Sequence, residues 1–252
     1  MTTKKVQVFG IGLSVIDYPH ACEEIISAAK EHRSFAMSAL AVHGLMESVA
    51  DSNLRQRVNK IDLVAPDGQP VRWAMNLLHR TRLRDRVCGP DLTGKVCEAA
   101  AKEGVRVYLF GSTPETLERL SGKLSEHFPG LKISGMQPDR FREATPEEDL
   151  EDIQRINQSG AGLVLVGRGC PRQERWVADH RGKINAAMMA VGAAFDFYAG
   201  NLKRPPLWMQ KNGLEWLYRL KQEPRRLFFR YLVTNTLFLW RLGFDLLKTK
   251  RA

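Results

Sequence analysis

Asp67 is the residue whose type and position point most directly to chemistry. It follows a short apolar run at residues 61–65, within the triplet Pro66-Asp67-Gly68. If that run is a buried strand, the Asp67 carboxylate lies at the rim of a sheet, where it can take a proton from a substrate hydroxyl. A Pro-Asp-Gly turn uses the same residue for its own geometry. The sequence therefore leaves general base and turn residue as alternative interpretations of Asp67.

A glycine-rich loop at residues 167–173 is the second place where chemistry is expected. Gly167 and Gly169 let the backbone approach a ligand closely. Pro171 is expected to begin a helix, whose free N–H groups and dipole attract an anion such as a nucleotide diphosphate. Two arginines in the loop add positive charge, and Gln173 can hydrogen-bond a sugar or a base. The alternative is an ordinary strand-to-helix turn with surface arginines.

Other patterns argue against a cofactor or a metal. Gly10-Ile11-Gly12 resembles the start of a dinucleotide-binding motif, but Val15 stands where the third glycine belongs, so we expect no hydride-transfer cofactor. No D-x-D motif is present to hold a metal against a diphosphate, and the six histidines are scattered. The four cysteines are widely spaced without a C-x-x-C pair, which is typical of reduced thiols in the cytoplasm.

The positive charge of the chain is concentrated at one end. Residues 1–200 contain 26 basic and 25 acidic side chains, whereas residues 201–252 contain 12 basic and 3 acidic ones. The same C-terminal residues hold 9 of the 21 aromatic side chains. This asymmetry argues against a uniformly basic nucleic-acid coat and predicts a C-terminal segment that contacts an anionic partner.

We call residues 201–252 the tail and residues 1–200 the body. Tryptophans, arginines and aliphatic residues recur in the tail at helical spacing, which is typical of a helix lying among lipid headgroups. Arginine also binds phosphate oxygens in a planar fork, which suits a lipid diphosphate. The longest uncharged stretch, residues 231–240, is about half of what a spanning helix needs. A basic helix packed on the body, a homo-oligomer interface and a nucleic-acid patch are the alternatives, although the apolar content is high for the last.

Strand-like apolar runs alternate with helical patterns throughout the body, beginning with a strand at residues 6–10. The pattern predicts an α/β fold: a Rossmann-like, mostly parallel sheet with helices on both faces, followed by a helical basic appendage in the tail. Thr113 and Thr145 are predicted helix N-caps, with Glu148 completing a capping box at the second. Ligands of such sheets bind beyond the carboxyl ends of the strands. The loops expected there are residues 40–43, 66–68, 111–113, 167–171 and 192–196.

Many short motifs occur in an order that identifies a family. They are Ala65-Pro66-Asp67-Gly68, Val87-Cys88-Gly89-Pro90-Asp91-Leu92, Val107-Tyr108-Leu109-Phe110-Gly111, Val166-Gly167-Arg168-Gly169-Cys170-Pro171-Arg172-Gln173-Glu174-Arg175-Trp176, Val191-Gly192-Ala193-Ala194-Phe195-Asp196-Phe197, Arg204-Pro205-Pro206, Gly213-Leu214-Glu215-Trp216-Leu217-Tyr218-Arg219-Leu220 and Glu223-Pro224-Arg225-Arg226. With these motifs in register, the chain resembles the WecG/TagA/CpsF family of bacterial glycosyltransferases over nearly its whole length.

The resemblance implies an inverting glycosyltransferase that moves a sugar from a UDP-sugar to a polyprenyl-diphosphate-linked saccharide without a metal. Such an enzyme would act as a peripheral protein at the cytoplasmic face of the membrane, in the synthesis of a surface polysaccharide. The resemblance makes Asp67 the catalytic base. For substrate binding it implies Gly167, Gly169, Gln173 and Asp196 in the body, with Arg204, Arg219, Arg225 and Arg226 in the tail. Further candidates for substrate contact in the body are Ser38, His43, Gly68, Asp91 and Gly111.

One departure from the family pattern bears on the donor sugar. Many members carry Thr-x-Asn after the second strand, where this chain has Ser38-Ala39-Leu40. Leu40 cannot make the hydrogen bonds that an asparagine would make to the sugar. The sequence therefore does not favour an N-acetylmannosamine-type donor over a glucosyl, mannosyl or uronosyl donor. From another functional class, the alternative is a non-catalytic nucleotide-sugar-binding module whose basic tail mediates assembly.

Overall fold

The protein is described here by a computed structural model that covers the backbone of residues 3–249 and the side chains of residues 3–248. Its strands are β1 (Lys5–Val8), β2 (Ile11–Ser14), β3 (Phe35–Leu40), β4 (Leu63–Pro66), β5 (Arg106–Gly111), β6 (Lys132–Gln137), β7 (Leu163–Gly167) and β8 (Ala187–Ala190). Its helices are α1 (Tyr18–Lys30), α2 (Val42–Ala50), α3 (Ser52–Lys60), α4 (Gln69–His79), α5 (Gly89–Glu103), α6 (Pro114–His127), α7 (Pro146–Gln158), α8 (Arg172–Asp179), α9 (Ala193–Tyr198), α10 (Leu207–Lys211), α11 (Glu215–Gln222) and α12 (Pro224–Thr249).

Six parallel strands form the central sheet in the order β4-β3-β8-β7-β5-β6. Successive residues of a strand point to opposite faces, and each face carries its own apolar cluster. Leu63 and Leu163 belong to one cluster, whereas Val64 and Val164 belong to the other. A parallel sheet buried on both faces and flanked by helices confirms the predicted fold class.

The first predicted strand does not belong to this sheet, which corrects the sequence interpretation. β1 pairs antiparallel with β2, and the two form a separate hairpin. Its turn residues, Phe9 and Gly10, have φ values of 55° and 86°, as a two-residue hairpin requires. The Ser14 hydroxyl accepts a hydrogen bond from the Val64 backbone N–H at 3.0 Å, which anchors the hairpin beside β4. Gly10 and Gly12 resemble the start of a dinucleotide-binding motif, which is why residues 11–14 were not predicted as a strand.

Helix starts in the body follow the predicted capping residues. Thr113 accepts a hydrogen bond from the Thr116 backbone N–H at the start of α6. Thr145 and Glu148 form the predicted capping box of α7, each side chain bonded to the backbone N–H of the other. These caps satisfy N–H groups that the first helical turn leaves free. They therefore set where α6 and α7 begin after β5 and β6.

All the strand ends of the central sheet that lead into the predicted ligand loops lie at one edge, because the strands are parallel. At this edge β5 and β7 approach so closely that a Cβ added to Gly111 would lie 2.6 Å from the Gly167 carbonyl oxygen. Gly111 also has a φ of 115°, which side chains rarely adopt. Gly111 is therefore required for the path of the backbone between the two strands.

The tail is helical, as predicted, and its last helix runs over 26 residues from Pro224 to Thr249. Leu227 and Phe238 on this helix are buried, and the Phe238 ring meets Phe9 of the hairpin edge to face at 5.6 Å. α12 packs on α2 and α4 and so crosses the ligand edge of the body. Among residues 3–249, no helix is both long and apolar enough to cross a bilayer. Lys250 and Arg251, which contribute to the tail's charge, lie outside the described residues.

Phe238→Ala is expected to loosen α12 while the body stays folded. Phe238 is 2% exposed, and truncation of a buried phenylalanine costs about 3–5 kcal/mol. The measurement is hydrogen exchange of the α12 amides. Phe229→Ala serves as the control, since Phe229 is 72% exposed and its loss should cost less than about 0.5 kcal/mol. Equal exchange rates in the two variants would show that Phe238 does not anchor the tail.

Candidate active site

A cleft of about 850 Å³ lies at the carboxyl edge of the sheet, between the body and the tail. Its floor comes from the loops after β3, β4, β7 and β8, and its roof from residues 204–239. These are the strand-end loops that the sequence singled out, together with the tail. The arrangement encloses a space that neither part forms alone, and its volume suits a substrate of nucleotide size.

Asp67 lies in the wall of this cleft, immediately after β4. Its backbone N–H donates to the Leu40 carbonyl at 3.2 Å, and its carboxylate accepts a hydrogen bond from the Gly89 backbone N–H at 3.4 Å. Gly68, with a φ of 82°, then turns the chain into α4. Burial raises the pKa of Asp67 to about 6, and the nearby Arg86 guanidinium opposes this rise. Asp67 is thus ionised at neutral pH, with a proton affinity suited to a general base.

A buried ion pair joins the body to the tail beside Asp67. Arg86 is 4% exposed, and its guanidinium donates to the carboxylate of Glu215 at the start of α11. The positive charge of Arg86 lowers the pKa of Asp67, whereas the negative charge of Glu215 raises it. Glu215 therefore offsets the pull that Arg86 exerts on the Asp67 carboxylate.

Four arginines of the tail line the roof of the cleft: Arg204, Arg219, Arg226 and Arg230. Their acidic partners are few. Arg204 pairs with Asp91 at 2.5 Å, while Arg219 and Arg226 share Glu223 at 3.5 and 2.8 Å. Arg230 has no carboxylate within ion-pair distance among residues 3–249, and burial lowers its pKa. Glu215, the other acid of the roof, is paired with Arg86 of the body. Two carboxylates, Asp91 and Glu223, are thus left for four guanidinium groups, so the roof is positive and suited to an anion.

The ring of Phe197 holds two of these arginines in place. The guanidinium carbons of Arg204 and Arg219 lie 6.0 and 5.9 Å from its centroid. Cation–π contact of this kind fixes a planar guanidinium without consuming its hydrogen-bond donors. Arg204 and Arg219 therefore keep donors available to a ligand in the cleft.

The glycosyl transferase WecG/TagA/CpsF family model matches residues 6–252. The chain belongs to this family. It is therefore a glycosyltransferase of cell-surface polysaccharide synthesis, a class that uses a nucleotide-sugar donor and a lipid-linked acceptor. The cleft fits that class, because it combines a carboxylate that can act as a base with a surplus of arginines for phosphate groups.

In this glycosyltransferase, most of the sequence-predicted site residues line the cleft. They are His43, Asp67, Gly68, Gly167, Gly169, Gln173, Asp196, Arg204, Arg219 and Arg226. Four others lie outside it. Ser38 is fully buried beneath the wall, Gly111 packs against Gly167, Asp91 lies behind Cys88 and Arg204, and Arg225 is exposed on the outside of α12.

The loop after β7 is supported by a buried glutamate that sequence reasoning did not single out. Glu174 accepts hydrogen bonds from Ser38 at 3.2 Å and from the Gln173 side chain at 2.9 Å. The side-chain oxygen of Gln173, Oε1, in turn accepts a hydrogen bond from the Gly192 backbone N–H at 3.0 Å. Burial raises the pKa of Glu174. Ser38, Gln173 and Glu174 thus tie the ends of β3, β7 and β8 together, and Ser38 acts from beneath the cleft.

Asp139 is a second residue that the sequence interpretation missed. Its side chain is 1% exposed and lies within 3.0 Å of Arg168 and 2.9 Å of Arg172. Arg168 also lies over the Phe110 ring, and Arg172 over the Phe141 ring. The arginines of this loop are therefore fixed in place rather than free on the surface, and one carboxylate leaves the pair with net positive charge. No sequence signal links Asp139 to them, because it lies 29 residues before Arg168.

His43 lies in the cleft wall as a neutral side chain. Burial, with a smaller effect from the charge of Arg230, lowers its pKa to about 4. Its buried Nδ1 atom lies 3.7 Å from a carboxylate oxygen of Glu47 and makes no hydrogen bond within residues 3–248. A neutral imidazole can accept or donate a hydrogen bond. His43 therefore adds a polar ring to the cleft wall without adding charge.

Glu215→Gln is expected to lower the pKa of Asp67 below its value of about 6. The substitution removes a negative charge that raises this pKa and leaves the positive charge of Arg86 without its partner. Because a lower pKa favours the ionised form, Asp67 should stay deprotonated at more acidic pH. Carboxyl carbon NMR of Asp67 during an acid titration measures this directly. Glu126→Gln, on the exposed face of α6, is the control and should leave the Asp67 titration unchanged. An unchanged Asp67 titration in Glu215→Gln would refute the electrostatic coupling between Glu215 and Asp67.

Proposed function

We propose that this protein is an inverting glycosyltransferase that transfers a sugar from a UDP-sugar to a polyprenyl-diphosphate-linked saccharide. The observation that carries the proposal is the presence, in one cleft, of Asp67 with its raised pKa and an arginine cluster with too few acidic partners. An acceptor hydroxyl needs a base, and both substrates bring diphosphate groups that need positive charge.

The reaction is a single displacement. The Asp67 carboxylate takes the proton of the acceptor hydroxyl as that oxygen forms a bond to the anomeric carbon. The bond from the anomeric carbon to the UDP oxygen breaks, and its electron pair leaves with the diphosphate. Attack opposite the leaving group inverts the configuration at the anomeric carbon.

We divide the cleft into a donor side and an acceptor side, according to whether its positive groups come from the body or from the tail. The loop with Gly167, Gly169 and Arg168 comes from the body and would hold the donor diphosphate, with Asp196 and Gln173 nearby. The tail arginines would hold the acceptor diphosphate. Guanidinium and backbone N–H groups can stabilise the charge of the leaving UDP, so the proposed reaction needs no metal.

The tail supports a peripheral position on the inner face of the cell membrane. Its exposed apolar side chains include Leu207, Trp208, Phe229, Leu239 and Trp240. A helical surface that mixes such residues with arginine is typical of proteins that lie among headgroups. This position would bring the cleft to a lipid-linked acceptor. Without a membrane, the same apolar surface is proposed to pair copies of the chain in a homo-oligomer.

Asp67→Asn is expected to slow transfer by about 10²–10⁴-fold, the usual contribution of a general base. Asparagine has nearly the same shape, and it removes a carboxylate whose ionised form burial disfavours, so the melting temperature should stay equal or rise. The assay supplies a panel of UDP-sugars with a polyprenyl-diphosphate monosaccharide. Wild-type transfer should fall as the pH drops below about 6, because protonation removes the base. Full transfer by Asp67→Asn, or binding of UDP-sugars without any product in the wild type, would contradict the proposal.

The double variant Arg219→Gln and Arg226→Gln is expected to raise KM for the lipid-linked acceptor by at least about 10-fold. A hydrogen bond to a charged group contributes about 1.5–3 kcal/mol, and both guanidinium groups line the cleft. KM for the UDP-sugar should change little. Arg225→Gln is the matched control, because Arg225 neighbours Arg226 but lies outside the cleft. An equal effect of the control would show that general tail charge, and not the cluster, binds the acceptor.

A further inference from the structure

A second basic surface lies on the body, in the segment between α4 and α5. Arg80, Arg82 and Arg84 are all exposed there, and none has a carboxylate within ion-pair distance among residues 3–249. The nearest acid along the chain, Asp85, accepts a hydrogen bond from the Arg86 backbone N–H at 2.8 Å. Three positive charges against one carboxylate leave this segment basic. The total charge of residues 1–200 does not reveal this basic segment, because it is close to zero.

The segment has a fixed shape, because two side chains of α4 hold its backbone. The Asn76 carbonyl oxygen accepts from the Thr81 hydroxyl at 2.6 Å and from the Leu83 N–H at 2.8 Å, while its amide donates to the Leu83 carbonyl at 3.0 Å. Arg72 donates to the carbonyls of Leu83 and Arg84 at 3.2 and 2.6 Å. Residues 80–84 therefore turn back along α4 and present their arginines in a defined arrangement.

Two of the three arginines occupy left-handed backbone conformations. Arg80 has a φ of 53° and Arg82 a φ of 57°. This region is disfavoured for residues with a Cβ and is usually filled by glycine or asparagine. Arg80 is the C-cap of α4, and its backbone N–H donates to the Asn76 carbonyl. The two left-handed residues therefore reverse the chain at the end of α4 and place the arginines beside that helix.

An apolar stripe leads from these arginines to the tail. Trp73 and Leu77 are 42% and 56% exposed, and with Arg80 they follow the i, i+4, i+7 spacing of one helix face. The ring of Trp73 lies against the tail, since a Cβ added to Gly213 would be 3.1 Å from it. α12 also packs on α4. The stripe therefore adjoins the tail at Gly213.

We propose that α4 and residues 80–84 form a membrane-docking surface of the body that binds anionic lipid headgroups; this inference rests on the proposed membrane position of the tail. Tryptophan at the edge of an apolar stripe is typical of the headgroup layer, and arginines beside it attract an anionic leaflet. Because the surface joins the tail at Trp73, one bilayer plane contacts both. The body then determines the height and tilt of the cleft above the membrane.

The test compares full-length proteins in vesicle sedimentation. The vesicles contain phosphatidylcholine alone or with about one third phosphatidylglycerol. The first variant carries Arg80→Gln, Arg82→Gln and Arg84→Gln. The matched control removes the same charge from the amino-terminal edge of the sheet with Lys60→Gln, Lys132→Gln and Lys183→Gln, three exposed lysines. Each arginine near an anionic surface contributes about 5-fold in binding, so the arginine variant should bind anionic vesicles about 100-fold more weakly than the wild type.

Trp73→Ala with Leu77→Ala forms a second variant, which should weaken binding to both kinds of vesicle because it removes apolar contact rather than charge. The control variant should bind within about 2-fold of the wild type. Circular dichroism and melting temperature establish that each variant is folded. The inference is overturned if the wild type does not sediment with anionic vesicles, if the arginine variant binds as well as the wild type, or if the control loses as much. It is also overturned if the arginine variant differs from the wild type only in oligomeric mass and not in vesicle binding.

Transfer to a water-soluble acceptor with a short prenyl chain distinguishes this inference from the proposed function. That reaction needs no bilayer, and the three arginines lie outside the cleft, so the arginine variant should retain its full rate. Failure of the wild type in this assay would reject the proposed transferase activity, whereas the sedimentation result concerns the docking surface alone.

Discussion

The ion pair between Arg86 and Glu215 is the interaction on which the cleft depends. It is buried, it bridges 129 residues of sequence, and it connects the body to the tail immediately beside Asp67. Breaking a buried ion pair by removing one partner leaves an uncompensated charge, which is strongly unfavourable. The tail is therefore held by electrostatics as well as by the apolar contacts of Leu227 and Phe238. In addition, the position of α11 and the proton affinity of Asp67 are coupled, because Glu215 contributes to both.

The cleft concentrates groups that do not favour folding. Burial shifts the carboxylates of Asp67 and Glu174 toward the protonated form, and it lowers the pKa of His43. The roof also holds more guanidinium groups than carboxylates. Such an arrangement must be compensated elsewhere, and here the two apolar clusters on the faces of the sheet provide the stability. A donor and an acceptor with diphosphates would relieve part of this strain, since they bring the negative charge that the roof lacks.

Local patterns were sufficient to predict much of the fold. The buried strand runs, the Thr113 and Thr145 caps and the strand-end loops follow from residue type and period, and the structure confirms them. The hairpin of β1 and β2 was missed because its second strand begins beside Gly10 and contains Gly12, the two glycines that resembled a binding motif. The sequence did not predict contacts between residues that are far apart in the chain. No local sequence period encodes three side-chain pairings: Asp139 with Arg168, Ser38 with Glu174, and Arg86 with Glu215. These pairings decide which of the predicted residues reach the cleft.

The two sides of the cleft come from different parts of the chain. The groups assigned to the donor follow strand ends throughout the body, where each is fixed by the sheet and by neighbouring loops. The groups assigned to the acceptor all come from one uninterrupted C-terminal stretch. A change of donor sugar would have to be accommodated inside a packed core, whereas the roof contacts the body through a few buried residues. Substitutions in the roof therefore disturb the packing of the core less than substitutions at the strand ends, so the two sides of the cleft differ in how readily they can be re-engineered.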